Sequence, residues 1–361
     1  MYELKLFRRR QFVRVGVLCF AMMILADILG TLIIMGVYST FPNMSDGMVF
    51  TVQCYLVFIG TFILFPVWLY LRDKETFADL LPRDTVLNVT INDKRAKADA
   101  QGREKTEDQA GALNGEQIGV KNAGTVGALQ SRSFRYQGLC GNTGKMFALG
   151  LAVGAGTNAI CILLAWLHGD IKFVTGQVEW GTMIFALIAV FIQSSAEEFM
   201  MRYFVLGSLR RRYPMWFAII FNAIYFMALH LGNSGVTFIA MLDIAVIGVS
   251  YSIAVCFLDS LWMPMAMHTA WNYTQNYIFG LPNSGMVSAA SILKLDAATA
   301  TSSFFYDTGF GVEGTLVATT LDALVGAVII WYVIKHGKAT LKDGTGTAIK
   351  LQKPAMPPVH E

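Results

Sequence analysis

The feature that most constrains this chain is a set of apolar runs of about 20 residues, the length at which an α-helix crosses a hydrocarbon layer of roughly 30 Å. The runs cover 13–38, 50–71, 146–167, 181–206, 216–231, 236–258, 262–279 and 316–334. Inside lipid every backbone N–H and C=O must find a partner within the segment, so such runs fold as helices. Of the 361 residues, 55% are hydrophobic and only 15% charged, more apolar sequence than a water-soluble core requires. The expected fold class is therefore all-α, a polytopic transmembrane helix bundle of about eight spans.

Basic residues beside short loops set the expected orientation, because Lys and Arg there stay on the cytoplasmic side. Arg8, Arg9, Arg10 and Arg14 flank the first run, Arg210, Arg211 and Arg212 follow the fourth, and Lys335 and Lys338 follow the eighth. The connections 39–49, 168–180 and 283–314 carry only Lys172 and Lys294. Both termini are thus expected in the cytoplasm. The first run is too long for a signal-peptide core and no clear small-residue cleavage pattern follows it, so it is expected to be retained as a span.

The chain divides by composition into two N-terminal spans (1–71), a polar segment (72–145), a six-span core (146–335) and a polar tail (336–361). The segment 72–145 is nearly without aromatics and predicts a mostly disordered cytoplasmic loop acting as a spacer. A net charge of +3 gives no footing for nucleic-acid binding. The five cysteines (Cys19, Cys54, Cys140, Cys161, Cys256) form no C-x-x-C pair and no metal-binding spacing. The chain has no internal repeat, Gly-rich phosphate loop, G-x-S-x-G or H-E-x-x-H motif.

Function is expected where polar side chains stand inside apolar helices, because each costs at least a few kcal/mol there. The fourth run contains Ser194-Ser195-Ala196-Glu197-Glu198-Phe199-Met200-Met201-Arg202. Glu198 and Arg202, four residues apart, share a helix face and can form a charge-assisted pair. Glu197 lies about 100° around the helix, without a partner in that pair, which makes it a candidate general base. The fifth run supplies Asn222, Phe226 and His230 on one face, and the seventh His268 and Asn272. Asp27 and Asp243 are expected to be bundle-facing or hydrated acids.

Glu197-Glu198-x-x-x-Arg202, Phe226-x-x-x-His230 and His268-x-x-x-Asn272, in that order on successive hydrophobic helices, resemble the motifs of the CAAX protease and bacteriocin-processing family of intramembrane proteases. The resemblance spans about residues 183–277. It implies a glutamate-dependent endopeptidase that cuts a membrane-associated protein or peptide. In such an enzyme Glu197 and His230 would activate water, and His268 and Asn272 would form the oxyanion site. Arg202 would be a supporting residue, with Glu198 and Phe226 beside it. No metal or cofactor is expected on this reading. The long polar segment 72–145 is not a feature expected of the family.

The chemistry of the residues agrees with that implication. Peptide hydrolysis needs a base to take a proton from water and donors aimed at the developing oxyanion. Depth is less even: counting about 1.5 Å per residue from the cytoplasmic end, Glu197 and Asn272 come out near 15 Å, His230 near 20 Å and His268 near 9 Å. Either the fifth helix is tilted or its start lies in the interface around Tyr213 and Trp216. Two other readings stand beside the protease: a zinc enzyme using Glu197, His230 and His268 as a His₂Glu set, and a non-catalytic scaffold, immunity protein or transporter.

Overall fold

The computed structural model describes residues 11–73, 143–210, 213–258, 260–336, 340–342 and 348–350. Residues 74–142 of the expected polar loop 72–145, the Arg8–Arg10 run, Arg211, Arg212 and most of the C-terminal tail lie outside the described residues, and the helices on either side take in 72–73 and 143–145.

Eight helical rods among the described residues correspond to the eight apolar runs. They are α1 (Gln11–Thr40), a second rod of α2 (Asp46–Cys54) and α3 (Ile59–Asp73) joined by a 3₁₀ turn, α4 (Thr143–His168), α5 (Trp180–Glu198), α6 (Met215–Leu229), α7 (Phe238–Leu258), α8 (Trp262–Tyr273) and α9 (Leu316–His336). Six rods are long and apolar enough to cross a membrane: Phe12–Thr40, Asp46–Val67, Thr143–His168, Trp180–Arg210, Phe238–Leu258 and Leu316–Val333. The chain is an integral membrane protein with an all-α architecture. Its only strand pairings among the described residues are short: β1 (Phe173–Thr175) with β2 (Leu293–Leu295), and β3 (Thr340–Lys342) with β4 (Ala348–Lys350).

Two helices change pitch where they matter most. α5 continues as a π-helical segment, Phe199–Leu206, all eight of whose residues are buried, and α8 continues as another, Thr274–Ile278. A helix buried all round stands at the centre of its bundle, so the rod carrying Glu197, Glu198 and Arg202 is the hub. Around it α8 packs against α4 and α5, α7 against α6 and α9, and α1 against α3.

Small residues allow close approaches between these helices. Gly150 and Gly154, four residues apart on α4, face the main-chain carbonyl oxygens of Met263 and Met267, four apart on α8. A Cβ at either glycine would overlap those oxygens, so the two helices meet backbone to backbone in the small-xxx-small manner of membrane helix pairs. That contact fixes the height and rotation of α8, and with them His268 and Asn272.

The connection 279–315 between α8 and α9 folds back over one end of the bundle. Leu281, Tyr306, Phe310 and Val312 in it are fully buried. Polar residues of the π-helical end of α8 hold it down: Gln275 donates to the Pro282 carbonyl, and Asn276 Nδ2 donates to the carbonyls of Leu281 (2.9 Å) and Met286 (3.1 Å). These internal bonds satisfy polar groups that burial removes from water.

Candidate active site

The expected pair forms at the start of the π-helical segment. Arg202 Nη1 donates to Glu198 Oε1 at 3.1 Å, and both side chains are fully buried. The guanidinium also lies over two aromatic faces, 4.4 Å from the Phe226 ring centroid and 5.3 Å from that of Tyr251. Ring faces are electron-rich, so they stabilise a cation that has left water behind. Phe226 of the second motif therefore acts on Arg202 as a π-donor.

His268 sits between the two glutamates. Its Nδ1 is 3.2 Å from Glu198 Oε1 and its Nε2 is 4.0 Å from Glu197 Oε2. A carboxylate only accepts, so the hydrogen on that side belongs to Nδ1, which fixes the ring's orientation. The 4.0 Å separation on the other side exceeds a direct hydrogen bond and is of the kind a bridging water or substrate atom fills. The Glu197 and His268 side chains each remain 13% exposed, whereas Glu198 is fully enclosed. Of the adjacent glutamates, one is sealed into an ion pair, and the other keeps a buried Oε2 without a hydrogen-bond partner beside His268.

His230 lies at the end of α6 rather than inside a longer helix. α6 stops at Leu229 after 15 residues, and His230 is its C-cap. Its Nδ1 is 2.9 Å from the Phe226 carbonyl oxygen. That oxygen can only accept, so Nδ1 carries the hydrogen and the neutral ring keeps its lone pair on Nε2. The uneven depths counted from sequence do not separate the two histidines. Phe226 packs edge-on against both, with ring centroids 4.7 Å from His230 and 6.5 Å from His268.

Asn272, the last motif residue, belongs to a chain of amides that sequence reading did not anticipate. Gln193 Nε2 donates to Glu197 Oε1 at 2.6 Å, and Asn272 Nδ2 donates to Gln193 Oε1 at 3.1 Å. Asn283 Nδ2 donates to Asn272 Oδ1 at 3.1 Å and also lies 3.4 Å from Glu313 Oε2. Glu197 at one end accepts, so Gln193 turns its nitrogen toward it, and that sets the direction of the amide bonds that follow. Gln193 was detectable, since it stands four residues before Glu197 on the same helix. Asn283 and Glu313 lie in the connection after α8 and carry no local signal.

Glu313 closes the network on the loop side, taking hydrogen bonds from Trp271 Nε1 (3.0 Å) and from the Ser284 main-chain N–H. Burial pushes its carboxyl up to about 7, against the lowering effect of the Ser284 and Trp271 donors and of the charge on His268. The folded protein thus favours protonated Glu313. The stability this gives is complete below the ordinary value of 4.5 and is lost as pH rises through about 7. Glu313→Gln, which stays neutral, is expected to overtake the wild type in melting temperature between pH 5 and 7.5. The free-energy difference should change by at most about 1.4 kcal/mol per pH unit. A difference that does not vary with pH would mean Glu313 does not titrate in that window.

The two acids expected to face the bundle or to be hydrated part ways. Asp243 on α7 is fully buried beside the buried Asp322 of α9. Asp27 on α1 is exposed. Among the described residues, no three His, Cys, Asp or Glu side chains are grouped to hold a metal ion.

Comparison with known proteins agrees with the motif reading. No curated protein and no solved structure matches the chain. Residues 179–274 match the family model described as type II CAAX prenyl endopeptidase Rce1-like, a segment that includes Gln193, Glu197, Glu198, Arg202, Phe226, His230, His268 and Asn272. Over that segment the chain is similar to this CAAX protease family.

Proposed function

We propose that this protein is an intramembrane endopeptidase in which Glu197 activates water to hydrolyse a peptide bond of a membrane-associated protein or peptide, in the manner of CAAX-type or bacteriocin-type processing. The observation that supports the reading is Glu197 Oε2, buried without a hydrogen-bond partner and 4.0 Å from His268 Nε2. Glu197 takes the proton from water, and Nε2 of His230 is the second acceptor that orients it. The attacking oxygen adds to the carbonyl carbon, and the oxyanion is met by Nε2–H of His268 and the second N–H of Asn272. For His268 to donate there it must be an imidazolium, and the flanking carboxylates of Glu197 and Glu198 provide its countercharge. Proton return from Glu197 to the leaving amine completes the cleavage, so no Ser or Cys nucleophile is needed.

Gln193 is assigned a positioning role: its N–H holds Glu197 Oε1 and leaves Oε2 for water. The remaining amides and Glu313 hold Asn272 from the loop side. Both termini are placed in the cytoplasm on the strength of the flanking Arg and Lys residues.

The reading is tested by incubating purified protein in lipid nanodiscs with membrane-anchored peptides and identifying the products by mass spectrometry. Cleavage is expected to persist in excess chelator. Activity lost on chelation and restored by zinc would favour a metalloprotease instead, and no cleavage at all would favour a non-catalytic role.

A further inference from the structure

α1 and α6 run side by side in the same direction, and α6 ends first. Phe12 packs its ring against Phe217 and Phe221 at 5.8 and 5.6 Å, and one turn further along the Tyr225 hydroxyl donates to the Gly16 carbonyl at 2.8 Å. Beyond Tyr225, α6 has only four more residues before it stops at Leu229, a rise of about 6 Å. Asp27 is eleven positions beyond Gly16, about 16 Å along α1. A separation of eleven residues returns to nearly the same helix face. Asp27 therefore stands on the side of α1 that packs against α6, at a level α6 no longer covers, and its side chain leans back toward the end of α6, where His230 is.

The surroundings of Asp27 make an ordinary role for it hard to find. It lies near the middle of the span Phe12–Thr40, too deep for its short side chain to reach the interface. Its helical neighbours Ile24, Leu25 and Ile28 are 44%, 56% and 53% exposed, an apolar surface suited to lipid. Asp27 is itself exposed, yet close enough to Glu197 for the two charges to interact. A carboxylate at this depth calls for a cation or a functional site beside it.

We propose that Asp27 is a specificity subsite that receives the cationic side chain, lysine or arginine, of a membrane-embedded peptide substrate entering over the end of α6. This rests on Glu197 marking the place where the peptide is cut. A lysine or arginine within a membrane peptide is as costly in lipid as Asp27 is. Pairing the two relieves both and places the peptide in one register relative to Glu197.

The test uses leucine–alanine membrane peptides that carry one lysine, or norleucine in its place, at successive positions along the span. Their binding is measured by fluorescence anisotropy to Glu197→Gln protein in nanodiscs, with and without Asp27→Asn. At one or two adjacent positions lysine is expected to bind about tenfold more tightly than norleucine or better, a ratio typical of one charge-assisted contact. Asp27→Asn should bring that ratio to about one. Equal binding of lysine and norleucine peptides at every position, or a lysine preference that survives Asp27→Asn, overturns the proposal. The two readings fail separately. Lysine-selective binding with no cleavage by the wild type would sink the protease and keep the subsite, whereas cleavage indifferent to lysine would do the reverse.

Discussion

Glu197→Gln is expected to lower cleavage by about 10²–10⁴-fold, the range that removal of a general base produces, while the protein remains folded. The fold should survive because the substitution keeps the side chain's size and its acceptor for Gln193 Nε2, which now reaches Glu197 Oε1 at 2.6 Å. It also removes a negative charge rather than adding one to the bilayer interior. The loss should fall on kcat more than on KM, since the amide occupies the same space but cannot accept the proton from water. Full activity in this variant would exclude Glu197 as the base.

The second large effect is on stability. Arg202→Met should destabilise the protein by about 3–5 kcal/mol, because it leaves Glu198 fully buried without its cation. Adding Glu198→Gln should recover part of that loss, since a neutral pair of similar volume needs no countercharge. The recovery is not expected to be complete, because His268 also loses the carboxylate that orients its Nδ1. Cys19 and Cys161 are free and buried, so a thiol-reactive dye that fluoresces as they become accessible reports the melting temperatures directly. If the double variant melts lower than Arg202→Met, the Glu198–Arg202 pair is not a compensated charge pair.

Much of this was legible in the sequence because membrane proteins write their helices as long apolar runs. The Glu198–Arg202 pair was legible for a related reason: a four-residue spacing fixes which side chains meet on a helix. For His230 the limit was that an apolar run does not reveal where its helix stops. The run continues to Leu231, but α6 ends at Leu229 and His230 caps it. The π-helical turns after Glu198 and Tyr273 were likewise invisible, since burial on all sides leaves no periodicity to read.

What sequence could not supply was partnership across distance. Asn272 was singled out as an oxyanion donor, yet Nδ2 is already engaged with Gln193, so only its second N–H is available for that role. Asn283 and Glu313 lie 11 residues past Asn272 and 30 past Asn283 respectively. Nothing in their neighbourhoods marks them as part of the same network. Asp27, by contrast, was visible as a charge in a span. Its meaning emerged only once α6 proved shorter than α1.

The most direct test of the central claim compares, by mass spectrometry, the peptide termini in membranes of cells expressing either the wild type or Glu197→Gln at equal levels. The account predicts a set of new termini within or beside membrane-embedded segments that is present with the wild type and absent with Glu197→Gln. Identical termini in the two membranes would contradict it.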